Sequence, residues 1–536
     1  MADALGDGAE FDYIVLGGGS GGCTVASRLS EDPSVTVCLV EAGGDGSSVL
    51  FRAPAAIAAI LPTPFHNWAY KTTPQAGLNG RRGYQPRGRV LGGSSAINAM
   101  LYVRGHKTDY DEWRNLGNPG WGFDDVLPYF KKAEGNARGA DDLHGGDGPL
   151  SVQDQRSRKP ISNAFVEAGR QTQIPVNDDF NGDTQDGIGH YQVTQRDGVR
   201  CSAAAAYITP NLHRPNLHVI TKARAQRVII ENGCATGAVV EVAGKIRTIK
   251  ARREIVVAGG AFGTPQLLML SGIGPADHLR QMGVDVLQNS PHVGQNLQDH
   301  VDYIAAYKSK RRDVWGLSAG GTVDLVKAIL EWRKSKTGDL TTPFAEGGAF
   351  LKSDPSIDRP DLQLHFVVGI VDDHMRKLHL GHGFSCHVCV LRPKSRGSVK
   401  LSSPDIKKPP EIDMGFYSER EDLDLMLKGF KRMRQILEAP ALAPWRHKEL
   451  YTEGVDEDAS LKTIIQNRSD TVYHPVGTCR MGSDENAVVD PQLRVRGVEG
   501  LRIADASIMP RIIGGNTNAP TIMIAEKCAD MMRAAS

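Results

Sequence analysis

The chain has 536 residues, 40% hydrophobic and 23% charged, too long for one hydrophobic core and too apolar for a disordered polymer. Its 63 Lys and Arg balance 62 Asp and Glu, a formal charge of +1 that argues against a nucleic-acid binder with its basic face. The acidic start MADALGDGAE does not read as a signal peptide, and no window offers the ~20 apolar residues that span a bilayer, so the expectation is a two-lobed cytoplasmic protein.

Residues 11–41 predict strand, tight turn, helix, strand. An apolar run (Tyr13 to Leu16) enters a glycine cluster, a helical pattern follows (Val25, Ala26, Leu29), and Val35 to Val40 lead to Glu41. Gly17, Gly19 and Gly22 have G-x-G-x-x-G spacing: the first permits the turn, the second lets a pyrophosphate approach, the third lets helix and strand pack. The helix N-terminus offers N–H groups and a positive dipole end to phosphates. Glu41 can accept hydrogen bonds from an adenosine ribose and would repel a 2′-phosphate, which disfavours NADP. The fingerprint does not separate NAD from FAD.

In 86–105, PRGRVLGGSSAINAMLYVRG, small residues around Asn98 leave room for a flat ring system. Residues 254–274 repeat strand, small-residue turn and helix, with the helix expected near Pro265. Within 324–336, DLVKAILEWRKSK sets Leu325, Val326, Ile329 and Leu330 on one helical face, with Lys327, Arg333, Lys334 and Lys336 elsewhere. Such a helix packs on its own core or lies in a bilayer interface. The histidines of HLGHGFSCH (379–387) fit no zinc motif, and Cys386 and Cys389 in CHVC read as a buried strand; no metal site and no disulfide framework are expected. YHPVGTCRMG (473–482) holds His474 beside a proline, as a structural residue, a ligand or a proton acceptor. Residues 501–533 predict a short strand ending at Asp505, a Gly/Asn loop and a helix starting near Pro520.

Five of these motifs stand in a known order: the glycine fingerprint, GRVLGGSSAINA, GAFGTPQLLMLSGIGP, VGQNLQDH (293–300), and YHPVGTCRMG with GGNTNAPT. On them the chain resembles the glucose–methanol–choline (GMC) oxidoreductases over residues 10–534, with the look of their bacterial primary-alcohol, choline and polyethylene-glycol dehydrogenases. The resemblance implies a mixed α/β and α+β fold: a Rossmann-like FAD-binding domain at 10–155, 200–305 and 466–534, and an inserted substrate domain at 156–199 and 306–465 built on an antiparallel sheet with helices. It implies flavin contacts from Gly17, Gly19, Ser20, Gly22, Glu41, Arg89, Gly92, Gly93, Ser94, Asn98, Ala99, Met100, Leu101, Val228, Asp505, Ala506, Asn518 and Thr521. Relatives that tether FAD covalently use a histidine where this chain has Ile97, so FAD is expected without a covalent link.

His474 matches the family's histidine in HPVGT, and a neutral imidazole, with an ordinary pKa near 6.5, suits a base at neutral pH. Asn516, six positions after Pro510, matches its polar partner and would orient the alcohol. The expected reaction takes a primary alcohol to its aldehyde, with electrons passed to a quinone or similar acceptor. The alternatives are an oxidase using O₂, or a lyase or decarboxylase on the same fold. His300 is expected to brace structure near FAD. Glu346 reads either as an acid facing the substrate cavity, suited to a cationic or polyhydroxylated substrate, or as a surface or ion-paired residue. Peripheral attachment to the inner membrane surface is expected through 324–336; the oligomeric state is left open.

Overall fold

A computed structural model describes residues 6–535; the first half of the acidic N-terminal stretch lies outside them. Two sheets carry the architecture. In the first, Leu217–Ile220, Val37–Val40, Ala9–Leu16, Lys245–Val257 and Leu501–Ile503 run parallel. The antiparallel strands Cys234–Val242 and Ala223–Glu231 extend it. The runs YIVL and VCLV are almost wholly buried, as strands covered on both faces must be. Helix Ser20–Leu29 links two of them as the spacing predicts, and packs beside the last helix, Asn518–Ala534. The N-termini of both helices meet, with Ser20 Oγ donating to Asn518 Oδ1 at 2.7 Å.

The helix expected near Pro265 instead spans Gly260–Leu270, so the proline lies inside it. Proline has no N–H for the carbonyl four residues back, that of Ala261. Thr478 Oγ1 donates to that carbonyl at 2.7 Å, so a hydroxyl from the HPVGT segment replaces the missing helix bond and ties the two motifs together.

The second sheet is antiparallel, in the order Lys448–Glu449, Val301–Ser309, Gly381–Val390, Leu362–Val367, Ala345–Leu351, Gly187–His190. The whole of Val301–Ser309 belongs to it and Asp470–Thr471 pairs with that strand, so a boundary at 305 cuts the strand and one at 466 separates it from its partner. One face packs under helices Pro160–Gln171 and Arg420–Glu438, with Phe165 stacked on Phe366 at 4.4 Å. The two-residue period of a strand then sorts LQLHFV. Leu362, Leu364 and Phe366 pack under the helices, while His365 and Val367 line a cavity on the opposite face. Cys386 and Cys389 divide between the two faces in the same way, as free buried thiols.

Glu346 departs from expectation. It is fully buried away from the cavity and accepts hydrogen bonds from Lys159 N (2.6 Å), Ser162 Oγ (2.7 Å) and Thr342 Oγ1 (2.8 Å). An acid at this position serves the N-terminus of helix Pro160–Gln171, where the dipole favours negative charge, and fastens that helix to the sheet. Glu346→Ala strands three donors and should cost about 3 kcal/mol, given roughly 1–3 kcal/mol for a buried polar group left unpaired. Thermal unfolding should show the midpoint lowered; an unchanged midpoint would contradict this role.

Candidate active site

The parallel strands end at a cavity that runs from the glycine turn to the second sheet. Its lining brings together Gly17, Gly19, Ser20, Glu41, Gly93, Ser94, Asn98, Ala99, Met100, Leu101, Asp505, Ala506, Asn518 and Thr521 with His474, Asn516 and Ile97. Gly17 sits at φ +113°, and a Cβ there would lie 2.4 Å from the Ala258 carbonyl oxygen. Gly22 stands outside the lining; a Cβ on it would come within 1.8 Å of Gly17 O, so its bareness lets helix and turn pack. Gly92 also stands behind the lining, at φ +93°.

Gly19 caps helix Ser20–Leu29 without a side chain, leaving the first N–H groups for a phosphate. Glu41 accepts from Gly18 N (2.9 Å) and Gly43 N (2.7 Å), which orients it and leaves lone pairs for ribose hydroxyls. Burial raises its pKa to about 7. This cradle fits a dinucleotide such as FAD. Two expected contacts fall elsewhere. Arg89 lies over the ring of Trp68, 5.4 Å from its centroid, and it is Trp68 that lines the cavity. Val228 is buried farther along its strand, its N–H bonded to Ser271 Oγ, after the strand has left the cavity at Ala225.

His474 is aimed by backbone. Tyr473 adopts φ +76°, a left-handed conformation unfavourable for a bulky residue, and Pro475 restricts the histidine from the other side. The turn is held at four points: Tyr473 N by Thr471 Oγ1 (2.7 Å), Tyr473 O by Arg87 Nη1 (2.8 Å), Tyr473 Oη by His374 Nδ1 (2.8 Å), and His474 N by Asp299 Oδ1 (2.9 Å).

The hydrogen-bond network then assigns every ring proton. His300 Nε2 lies 2.9 Å from Leu391 O and 3.0 Å from Ile513 O; carbonyls only accept, so Nε2 carries hydrogen. Burial lowers the His300 pKa to about 4, so the ring is neutral and its Nδ1 is bare. That nitrogen accepts from His474 Nδ1 at 3.0 Å. Burial, then His300, His365 and Arg87, hold the His474 pKa well below 6.5, so this ring is neutral too and its Nε2 carries a lone pair that accepts from the Asn516 amide. Beside it, at 3.2 Å, stands Asn516 Nδ2. The amide cannot flip, because Gln363 Nε2 donates to Asn516 Oδ1 at 3.0 Å.

Sequence reasoning missed Gln363 and gave His300 only a bracing task. It also missed His365, which lines the cavity near Asn516, its pKa lowered by burial to about 3. The signal was present in LQLHFV: polar residues two apart on one face of an otherwise apolar strand. The histidines of HLGHGFSCH are each engaged, His379 with Asp372, His382 with Ser318 and Val314 O, and His387 with Asp302. Among the described residues no group of three or more His, Cys, Asp or Glu could hold a metal ion.

Comparison with known proteins gives the family. Two models described as GMC oxidoreductase match residues 11–302 and 393–525. The chain is 43% identical to an alcohol dehydrogenase [acceptor] of Pseudomonas putida, covering 97% of this chain and 95% of that protein. It is 43% identical to human mitochondrial choline dehydrogenase, over 98% and 90%. Among solved structures, pyridoxine 4-oxidase from Mesorbium loti superposes with a TM-score of 0.88 at 32% identity, over 97% and 98%. Aspergillus oryzae formate oxidase, studied for modification of its FAD, reaches 0.92 at 28% identity, over 99% of each chain. With both family models matched in order and this similarity running almost end to end, the chain belongs to the GMC oxidoreductase family and its cofactor is FAD.

Proposed function

We propose that the protein oxidises an apolar primary alcohol to its aldehyde, with His474 as the base. The observation that carries this reading is the unprotonated His474 Nε2 at the cavity, accepting a 3.2 Å hydrogen bond from the Asn516 amide that an incoming hydroxyl would replace. A hydroxyl between them donates its proton to Nε2 and turns its oxygen to the Asn516 N–H, which then faces the developing alkoxide. His474 Nδ1–H stays on His300, so the charged ring keeps its orientation. Bound FAD supplies the hydride acceptor. Ile97 offers no nucleophile, so FAD is held without a covalent link, through the glycine turn, Glu41 and the 93–101 segment.

Substrate polarity follows from the walls. Leu101, Phe344, Val367, Val371, Met375 and Val472 line the cavity around His474. Among the described residues its only acids are Glu41, fixed at the glycine turn, and Asp505, fixed to Gly260 N (2.8 Å) and Thr264. Neither is placed to neutralise a quaternary ammonium, and Glu346 is spent elsewhere. An aliphatic alcohol fits better than choline. For the acceptor, a quinone or similar compound is supported by the 43% relative named for an acceptor, and O₂ stands as the second reading, supported by a 42% relative named oxygen-dependent choline dehydrogenase. Peripheral contact with a membrane surface would bring the protein to such an acceptor.

Rapid anaerobic mixing tests the catalytic pair through flavin bleaching. Wild type should be reduced faster by octan-1-ol than by choline. His474→Ala should slow reduction on the order of 10²–10⁴-fold, roughly 3–5 kcal/mol of barrier, with FAD content unchanged. Asn516→Ala should slow it less, and the two losses should not add, since both residues act on one oxygen. A His474→Ala enzyme that bleaches at the wild-type rate would make the histidine structural. Acid precipitation should release the yellow colour into the supernatant; colour retained in the pellet would mean a covalent flavin.

A further inference from the structure

Helix Ala319–Ser335 is anchored on one side and bare on the other. Ala328 and Trp332 pack into a small cluster with Ala53, Ala55 and Leu340, which Trp315 and Phe344 join. Opposite them Val323, Val326, Ile329 and Leu330 are 53%, 51%, 38% and 62% exposed, at the i, i+3, i+6, i+7 spacing of one helical stripe. The apolar surface continues beyond the helix. Leu317 (46%) forms a bridge with Leu380 (83%), Leu378 is 72% exposed, and the His382 ring meets Ser318 Oγ, the helix N-cap, at 2.9 Å.

This surface lies directly behind the substrate end of the cavity. Phe344, a cavity wall, packs on Trp315 with centroids 5.6 Å apart and shares the cluster that seats the helix. Val371 and Met375, two more wall residues, belong to the segment that runs on to Leu378 and Leu380. The charge around it is predominantly basic. Between Lys308 and Lys336 there are eight Lys and Arg against three Asp and Glu, in a chain otherwise balanced. Among the described residues Lys310, Arg312, Lys327, Arg333 and Lys334 enter no salt bridge, whereas Arg311, Arg376 and Lys377 are paired with carboxylates. At 100° per residue Lys327 and Lys334 border one edge of the apolar stripe.

We propose that this helix and the Leu378–Leu380 loop dock on an anionic lipid bilayer, with the apolar stripe in the acyl boundary and the unpaired basic side chains on the headgroups. The wall of the substrate cavity then stands against the lipid surface in which apolar alcohols concentrate. The proposal rests on the membrane-linked acceptor suggested above and deepens it, by naming the face and the lipid charge.

Co-sedimentation of the FAD-loaded enzyme with phosphatidylcholine vesicles, with and without phosphatidylglycerol, tests it. Wild type should pellet with the anionic vesicles, less so as salt is raised. The double variant Val326→Glu, Leu330→Glu, whose side chains are already in solvent, should bind at least about tenfold more weakly while soluble butan-1-ol still bleaches its flavin at the wild-type rate. Equal pelleting of variant and wild type, or none by wild type, would overturn the assignment. So would a wild-type dimer in light scattering that the double variant dissolves, which would give the face to a second copy of the chain. Pelleting by an enzyme that no alcohol reduces would overturn the catalytic reading and leave this face standing.

Discussion

A single proton, the one on His300 Nε2, governs the chemistry available at the cavity. Two carbonyl oxygens, of Leu391 and Ile513, converge on that nitrogen and neither can donate. Everything downstream is arithmetic on one hydrogen per neutral ring: His300 Nδ1 must accept, His474 Nδ1 must donate, and His474 Nε2 is left with its lone pair. Burial keeps both rings neutral, since desolvation of a charged imidazole outweighs the pull of Asp109 on His300. The Gln363–Asn516 bond performs the same service for the amide, presenting N–H rather than oxygen to the site. A basic nitrogen and a hydrogen-bond donor are thus fixed side by side before any ligand arrives.

The fold brings these groups together from segments distant in sequence. Asp299 and His300 close the segment that leads into the second sheet, and that carboxylate receives the His474 N–H. The HPVGT segment is tied at its other end by Thr478 to the carbonyl that Pro265 frees. The loop before the last helix is held by Asp109, which accepts from Gly514 N at 2.7 Å and is paired with Arg359 and Arg392. The strained Tyr473 is tolerated because hydrogen bonds over-determine it, a pattern common where a side chain must be aimed rather than merely packed.

Much of this was legible in the chain. The glycine spacing with Glu41 located the dinucleotide cradle, because those positions are set by backbone sterics that only glycine meets. His474 and Asn516 were legible because proline and glycine mark their turns and the family motif names them. Side chains that act through another residue were not. The His300 role depends on which carbonyls meet its ring, and those lie 91 and 213 residues away. Gln363 reaches Asn516 across 153 residues. Glu346 was misassigned because an acid beside glycines in a strand resembles a cavity residue, whereas its real partners begin a helix more than 180 residues earlier. Arg89 and Val228 each sit close to lining residues in sequence, yet Arg89 stands behind Trp68 and Val228 lies past the point where its strand leaves the cavity. The helix at 319–335 read as amphipathic, but sequence could not say whether its stripe was covered; the structure leaves it open.

Neutron diffraction from a deuterium-exchanged crystal of the oxidised enzyme at neutral pH tests the central claim most directly, since it shows the hydrogens themselves. Deuterons should appear on His300 Nε2, between the two carbonyls, and on His474 Nδ1, with none on His474 Nε2. A deuteron on His474 Nε2 would contradict the account, because the nitrogen facing the cavity would then be a donor with no lone pair to accept a proton.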